Sequence, residues 1–278
     1  MRIICFLILY LIIFTACKNN VQSEELKTPS SPSVNSKVSP NSTDTMQTNS
    51  KSQHSFPSKV DLVFKPLQLD QLKEEQPRKE WILSKEIPFG EIKQQKVILD
   101  IYKDTNNGNN SSSNIHAMIR FKNIFYNLQD ELMEIPTVEN SSLFLLNQQF
   151  SDQFILLGGV ELFSNGPGLI AYIAYDVLND KWFTFENWGK PQIVDLDSDG
   201  EKELVIQFEG LHLNFPDLSI YTWNKGIFKE CRSIKSAVMG EDVQGYAKIG
   251  TNKKITVSTV QQDEQAIYTY DNGKLLRE

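Results

Sequence analysis

Apolar positions past residue 57 recur in short alternating or continuous runs bounded by Asn, Asp and Gly, with hardly any 3.6-residue periodicity, so the pattern predicts strands and hairpins. "YTWNKGIF" (221–228) and "YTYDNGKL" (268–275) superpose at an offset of 47, and "YDVLNDKW" (175–182) lies 46 before the first. Each reads as a hairpin closed by residues that accept positive φ cheaply. An apolar strand precedes each one, at 154–157, 204–208 and 255–260. A fainter copy runs through "VILDIYKD" (97–104) and "IRFKNIFYNL" (119–128). The segment "LDQLKEEQPRKEWIL" (69–83) reads as one short helix broken by Pro77.

Repeats of about 46 residues with three or four strands each predict an all-β domain over 57–278, built of repeated antiparallel β-meanders. Its length suits a β-propeller-like arrangement of four or five blades, or an incomplete propeller. Spacing alone leaves closure open.

The N-terminal pattern is different. Residues 1–17, "MRIICFLILYLIIFTAC", place Arg2 before an apolar run of 12 residues and then Thr15, Ala16 and Cys17. A spanning helix needs about 20 apolar residues, so this run reads as the core of a signal peptide. The ending "FTAC" resembles the bacterial lipobox, with Phe14 where Leu is usual. That resemblance implies cleavage before Cys17, lipidation of its thiol and a membrane-anchored protein of the cell envelope, its domain outside the cytoplasm. An uncleaved anchor and ordinary cleavage after Ala16 are the other readings. Residues 18–56 are rich in Ser, Asn, Thr, Lys and Pro and form a disordered tether with a reach of about 35 Å.

Cysteine and charge narrow the chemistry. With Cys5 in the leader and Cys17 lipidated, Cys231 is left alone, so the domain has no internal disulfide. The net charge is −7 and no basic run occurs, which argues against nucleic acid as a partner.

One repeat departs from the others. Its turn is "DLDSDGEKE" (195–203), where the last repeat has only "GTNKK". Counting Asp195 as position 1, side-chain oxygens at positions 1, 3, 5 and 9 belong to Asp195, Asp197, Asp199 and Glu203. The carbonyl at position 7 belongs to Glu201, and Gly200 permits the bend. A hard cation such as Ca²⁺ takes six to eight oxygens, which alternate inward ligands supply. An EF-hand fits less well, because position 12 is Ile206 and the flanks read as strand. "DLDSDGEKELVI" resembles the calcium loop of FG-GAP or VCBS repeats, the blades of integrin α-subunit propellers. The resemblance implies one structural Ca²⁺ between strands, and a domain that binds other macromolecules or carbohydrate. Two departures stand: the loop occurs once, and Glu203 sits where Asp is frequent. An acidic turn without metal is the alternative.

Catalytic constellations are lacking. His54, His116 and His212 have no Cys or His at ligand spacing, and neither a nucleophile elbow nor a phosphate loop occurs. Trp182, Trp188 and Trp223, with Tyr172, Tyr175 and Tyr221, read as packing between sheets. The connection "EGLHLNFPDLS" (209–219), with His212 and Phe215, is the candidate ligand-binding loop, together with "FSNGPGL" (163–169). These observations lead to an exported, lipid-anchored binding or scaffold module, held to the membrane through its N-terminus and meeting an envelope protein or carbohydrate. The alternative is an envelope-polysaccharide hydrolase whose carboxylate pair assembles only in the fold.

Overall fold

Turn backbone sets the architecture. In a computed structural model, which describes residues 55–104, 115–128, 143–162, 168–211, 214–260 and 264–278, four hairpins turn on two residues that both have positive φ. These pairs are Lys93–Gln94, Lys122–Asn123, Lys225–Gly226 and Asn272–Gly273. Such turns match the right-handed twist of the strands they join, which is why short hairpins select them.

Four brief strands come first: β1 (Lys59–Asp61), β2 (Lys65–Pro66), β3 (Asp70–Gln71) and β4 (Lys73–Glu74). The first meander follows as β5 (Trp81–Ile92), β6 (Gln95–Asp104), β7 (Ile115–Phe121) and β8 (Ile124–Asn127). The second is β9 (Leu143–Gln149), β10 (Phe154–Glu161), β11 (Leu169–Asp176) and β12 (Lys181–Trp188). The third is β13 (Lys190–Val194), β14 (Glu203–Phe208), β15 (Asp217–Asn224) and β16 (Ile227–Cys231). A six-residue helix, α1 (Ile234–Met239), precedes the fourth, which is β17 (Gly245–Ile249), β18 (Ile255–Thr259), β19 (Gln265–Asp271) and β20 (Lys274–Arg277).

Each meander gains a fifth strand from the N-terminal segment, in reverse order. β1 pairs with β20, β2 with β16, β3 with β12 and β4 with β8, all antiparallel. Residues 59–74 therefore strap the outer edges of all four sheets. Only Leu72 separates β3 from β4, and three residues separate each earlier pair. At about 3.3–3.6 Å per residue, these links hold neighbouring outer edges within about 14 Å, compatible with sheets stacked face to face at about 10 Å.

Three apolar clusters fill the three gaps. Val97, Leu99 and Ile101 of β6 meet Ala171, Ile173 and Tyr175 of β11, with Trp182. The other face of β11, Ile170, Tyr172 and Ala174, meets Leu204, Ile206 and Tyr221. Val205 and Ile220 then meet Ala247, Val257 and Tyr268 of the fourth sheet. Hence "IAYIAY" is buried at six successive positions: its strand is covered on both faces. Among the described residues no apolar cluster joins the first sheet to the fourth. The strap is pegged to the same gaps by Phe56 and Leu62, Leu67, and Leu72.

Two local expectations are corrected. Residues 69–83 form no helix; they supply β3, β4 and the start of β5, because the backbone amides of Leu72 and Glu75 donate to Trp182 and Phe125 carbonyls on neighbouring sheets. The second repeat also shifts. Its turn spans 177–180, two residues longer than the others, so the register places Tyr175 opposite Trp182 as Trp223 stands opposite Phe228 and Tyr270 opposite Leu275. Tyr175 thus corresponds to Trp223 rather than to Tyr221. All three side chains face the preceding sheet. Among the described residues no helix is long and apolar enough to cross a membrane.

Candidate metal centre

β13 and β14 pair in register from Lys190 with Gln207 to Val194 with Glu203, so residues 195–202 have to close over a strand end. They do so with Ser198 at φ 65 and Gly200 at φ 94. Nothing lies within 4 Å of a Cβ built on Gly200, so the backbone angle and not space calls for glycine there. The fold brings together Asp195, Asp197 and Glu203, with one carboxylate oxygen from each lying within 4.8 Å of the other two.

Part of this arrangement is satisfied by the chain. The Gly200 amide donates to Asp195 Oδ2 (3.1 Å), the Leu196 amide to Glu203 Oε2 (2.9 Å), and the Asn272 amide to Asp197 Oδ2 (2.9 Å). Two of the other three oxygens, Asp195 Oδ1 and Asp197 Oδ1, are buried without a hydrogen-bond partner. Buried acceptors are nearly always paired, and an unpaired charged one is costly. Two ionised carboxylates at such a separation repel by about 3.5 kcal/mol at an effective dielectric of 20.

Glu203 registers that environment. It is 6% exposed, and burial pushes its carboxyl up to about 7, against the Leu196 amide and with the help of Asp197, Asp199 and Asp195. Burial also raises the Tyr270 phenol above it, and the nearby Glu203 charge adds to the shift. A cation would reverse the logic by favouring the ionised carboxylates. The oxygen-only donor set suits a hard divalent ion.

Of the other two predicted ligands, Asp199 is not in the three-carboxylate group, and Glu201 is expected to offer its carbonyl and not its side chain. Asp199 is exposed, and its Oδ1 accepts from the Glu201 amide at 2.8 Å. Glu201 is exposed as well. Two residues that the motif does not contain complete the surroundings, both from the fourth sheet. Asn272 holds Asp197 from the β19–β20 turn, and the Lys253 ammonium donates to the Asp195 carbonyl and to Ser198 Oγ (3.3 Å). The loop thus joins the third sheet to the fourth. No spacing rule applied to 193–206 finds partners 55 to 75 positions away; only the sheet pairing does.

Other candidates divide as follows. Cys17 and His212 lie outside the described residues, as do 163–167 of the second candidate loop. Phe215 is half-buried in the β14–β15 connection. His116 is buried and stacks on Trp81 at 3.9 Å. Cys231 is buried, and that burial pushes its thiol up to about 11, away from nucleophilic use. No family model matches the chain, and comparison with curated proteins and with solved structures finds no similar sequence or fold.

Proposed function

We propose that the chain is an exported, lipid-anchored envelope protein whose β-domain takes one structural Ca²⁺ into loop 195–203 and serves as a binding or scaffold module. In this reading the four stacked sheets are an incomplete, propeller-like array with a single FG-GAP/VCBS-type loop. The leader and Cys17 supply the anchor, and residues 18–56 the spacer.

The observation that carries the metal is the pair of buried, unpartnered oxygens on Asp195 and Asp197 beside Glu203. A divalent cation bound there gives both a partner and links the loop to the fourth sheet through Asp197 and Asn272. Asp195, Asp197 and Glu203 are the side-chain ligands, with the Glu201 carbonyl and Asp199 as the loop's further oxygens. The role is structural, because the cluster sits against β14 and the fourth sheet's turns.

Calcium titration of the protein after chelation, read by the thermal midpoint, tests this. Binding to the native state alone stabilises by about 2.7 kcal/mol at one hundred times Kd. We expect a saturable rise in midpoint with Ca²⁺ that is lost in Asp197→Ala. A midpoint indifferent to Ca²⁺ in the unmodified chain would reduce 195–203 to an acidic turn.

A further inference from the structure

On its fourth-sheet side the acidic loop is closed over by the Asn272 amide and the Lys253 ammonium, both acting as donors. On its second-sheet side lies a cavity of about 250 Å³. Gln148, Gln149 and Phe150, at the end of β9 and in the turn that follows, form the second-sheet wall. Thr222 and Trp223 of β15 stand on the third sheet, and residues 200–203 line the cavity from the loop itself. We infer that a cation held by Asp195, Asp197 and Glu203 keeps at least one exchangeable water position facing this cavity, which is also its route in and out. The inference rests on the metal reading above.

Which oxygens are sealed sets the direction. Asp195 Oδ1 and Asp197 Oδ1 are cut off from solvent as well as unpartnered. Glu203 differs. Its Oε2 accepts from the Leu196 amide (2.9 Å), while Oε1 makes no hydrogen bond among the described residues and yet is not sealed with the two aspartate oxygens. The residue is buried, but it lines the cavity. The cluster therefore opens past Glu203, where the second sheet stands across the gap.

The ligand count points the same way. Ca²⁺ takes about six to eight oxygens. One from each clustered carboxylate, with Asp199 and the Glu201 carbonyl, falls short of that, and the two fourth-sheet contacts are donors that cannot add to it. The missing oxygens come from the cavity. It has room, since a water's share of liquid volume is about 30 Å³, and it has the polar partners that a held water requires. Gln148 donates its side-chain N–H to the Gln149 carbonyl (2.6 Å), which leaves its own Oε1 as an acceptor. The Thr222 hydroxyl and the Gln149 side-chain amide make no hydrogen bond among the described residues.

Such water has a structural consequence. At the equivalent turns Lys122 already ties the first sheet to Asp180 of the second (3.1 Å), and the Asn272 amide ties the fourth to Asp197 of the third. Between the second and third sheets this end holds the cavity instead. Trp223 fixes its width, with the indole stacked on Phe154 of β10 at 4.8 Å. Water held between the cation and Gln148 or Thr222 bridges the gap, because a bridging water is enthalpically nearly as good as a direct bond. The grip of the loop then extends from two sheets to three, and the cation still exchanges without any sheet having to part.

Terbium luminescence of the whole protein tests this, with Tb³⁺ in place of Ca²⁺ and excitation where only tryptophan absorbs. Lifetimes in H₂O and D₂O count the waters on the bound ion. The expected result is emission displaced by Ca²⁺, with at least one bound water, abolished in Asp197→Ala and largely lost in Trp223→Phe at unchanged Tb³⁺ affinity. Gln149→Glu, which sets a carboxylate on the opposite wall, should tighten Ca²⁺ binding by about threefold or more. Gln95→Glu, on the first sheet, should not. A gain in affinity does not arise from a damaged fold. Bound Tb³⁺ without water, emission indifferent to Trp223→Phe, or Ca²⁺ affinity unmoved by Gln149→Glu would each overturn the open position while leaving the loop a metal site. A chain that takes up neither ion would remove the metal reading, and the open position with it.

Discussion

Glu203 concentrates the conflict that a cation would resolve. It begins β14, where the alternation of the sheet turns its side chain inward, so its carboxylate is buried beside Asp195 and Asp197. In the cation-free protein the folded carboxyl holds its proton up to about pH 7, whereas an ordinary Glu releases it near 4.5. Between those values the native state binds more protons than the unfolded one, so stability falls as pH rises through that window. Glu203→Gln keeps the shape and the acceptor for the Leu196 amide but removes the charge. We expect this variant, in chelator, to have a higher midpoint than the unmodified chain at pH 8 and a flatter profile between pH 5 and 7, with calcium stabilisation lost. Thermal scans at four pH values measure all three. A variant less stable at pH 8 that keeps the original slope would show that Glu203 is not the titrating group.

Most hairpins were legible as elements because their turns need rare backbone angles, which the Asn or Gly of Lys-Asn, Lys-Gly and Asn-Gly announces, whereas the Lys93–Gln94 turn carries no such signal. The apolar runs at 154–157, 204–208 and 255–260 fall, but for Val260, in β10, β14 and β18, the second strands of their meanders. The strap was not legible. Its two- and three-residue strands pair through backbone groups that no side-chain pattern records, and its pegs Leu62, Leu67 and Leu72 recur every five residues, a period of neither strand nor helix. Leu69 and Leu72, three apart among charges, mimic a helix instead. Leu67 is buried between the second and third sheets, with its amide donating to the Phe228 carbonyl at 2.9 Å. Leu67→Ala keeps that bond and empties the gap. It should cost about 2–3 kcal/mol and lower the midpoint by roughly 5–10 °C in a domain of this size. Val63→Ala, at a strap position that is 70% exposed, should leave the midpoint unchanged. Equal effects from both would mean that the strap is not pegged through its leucines.

Across the whole molecule, the four meanders stack in series while the strap crosses all of them in parallel. The second and third sheets are buried on both faces, but the first and fourth each lend only one face to the stack. What reaches from one end to the other is residues 56–75, bonded in turn to Gly273, Phe228, Trp182 and Phe125. Without them β20, β16, β12 and β8 become open edges, each presenting unpaired amides and carbonyls to other chains. The consequence extends to the acidic loop, because its contact with Asn272 depends on the fourth sheet holding its place beside the third. A chain beginning at residue 77 should therefore self-associate, as seen by light scattering, and lose calcium stabilisation although every predicted ligand is still present. Adding a peptide of residues 55–76 should restore the monomer and the calcium response together, since that peptide carries the four strands and their pegs. A truncated chain that stays monomeric, with its midpoint and calcium response intact, would show that the meanders hold one another without the strap. Its short strands would then be a consequence of the stack and not one of its causes.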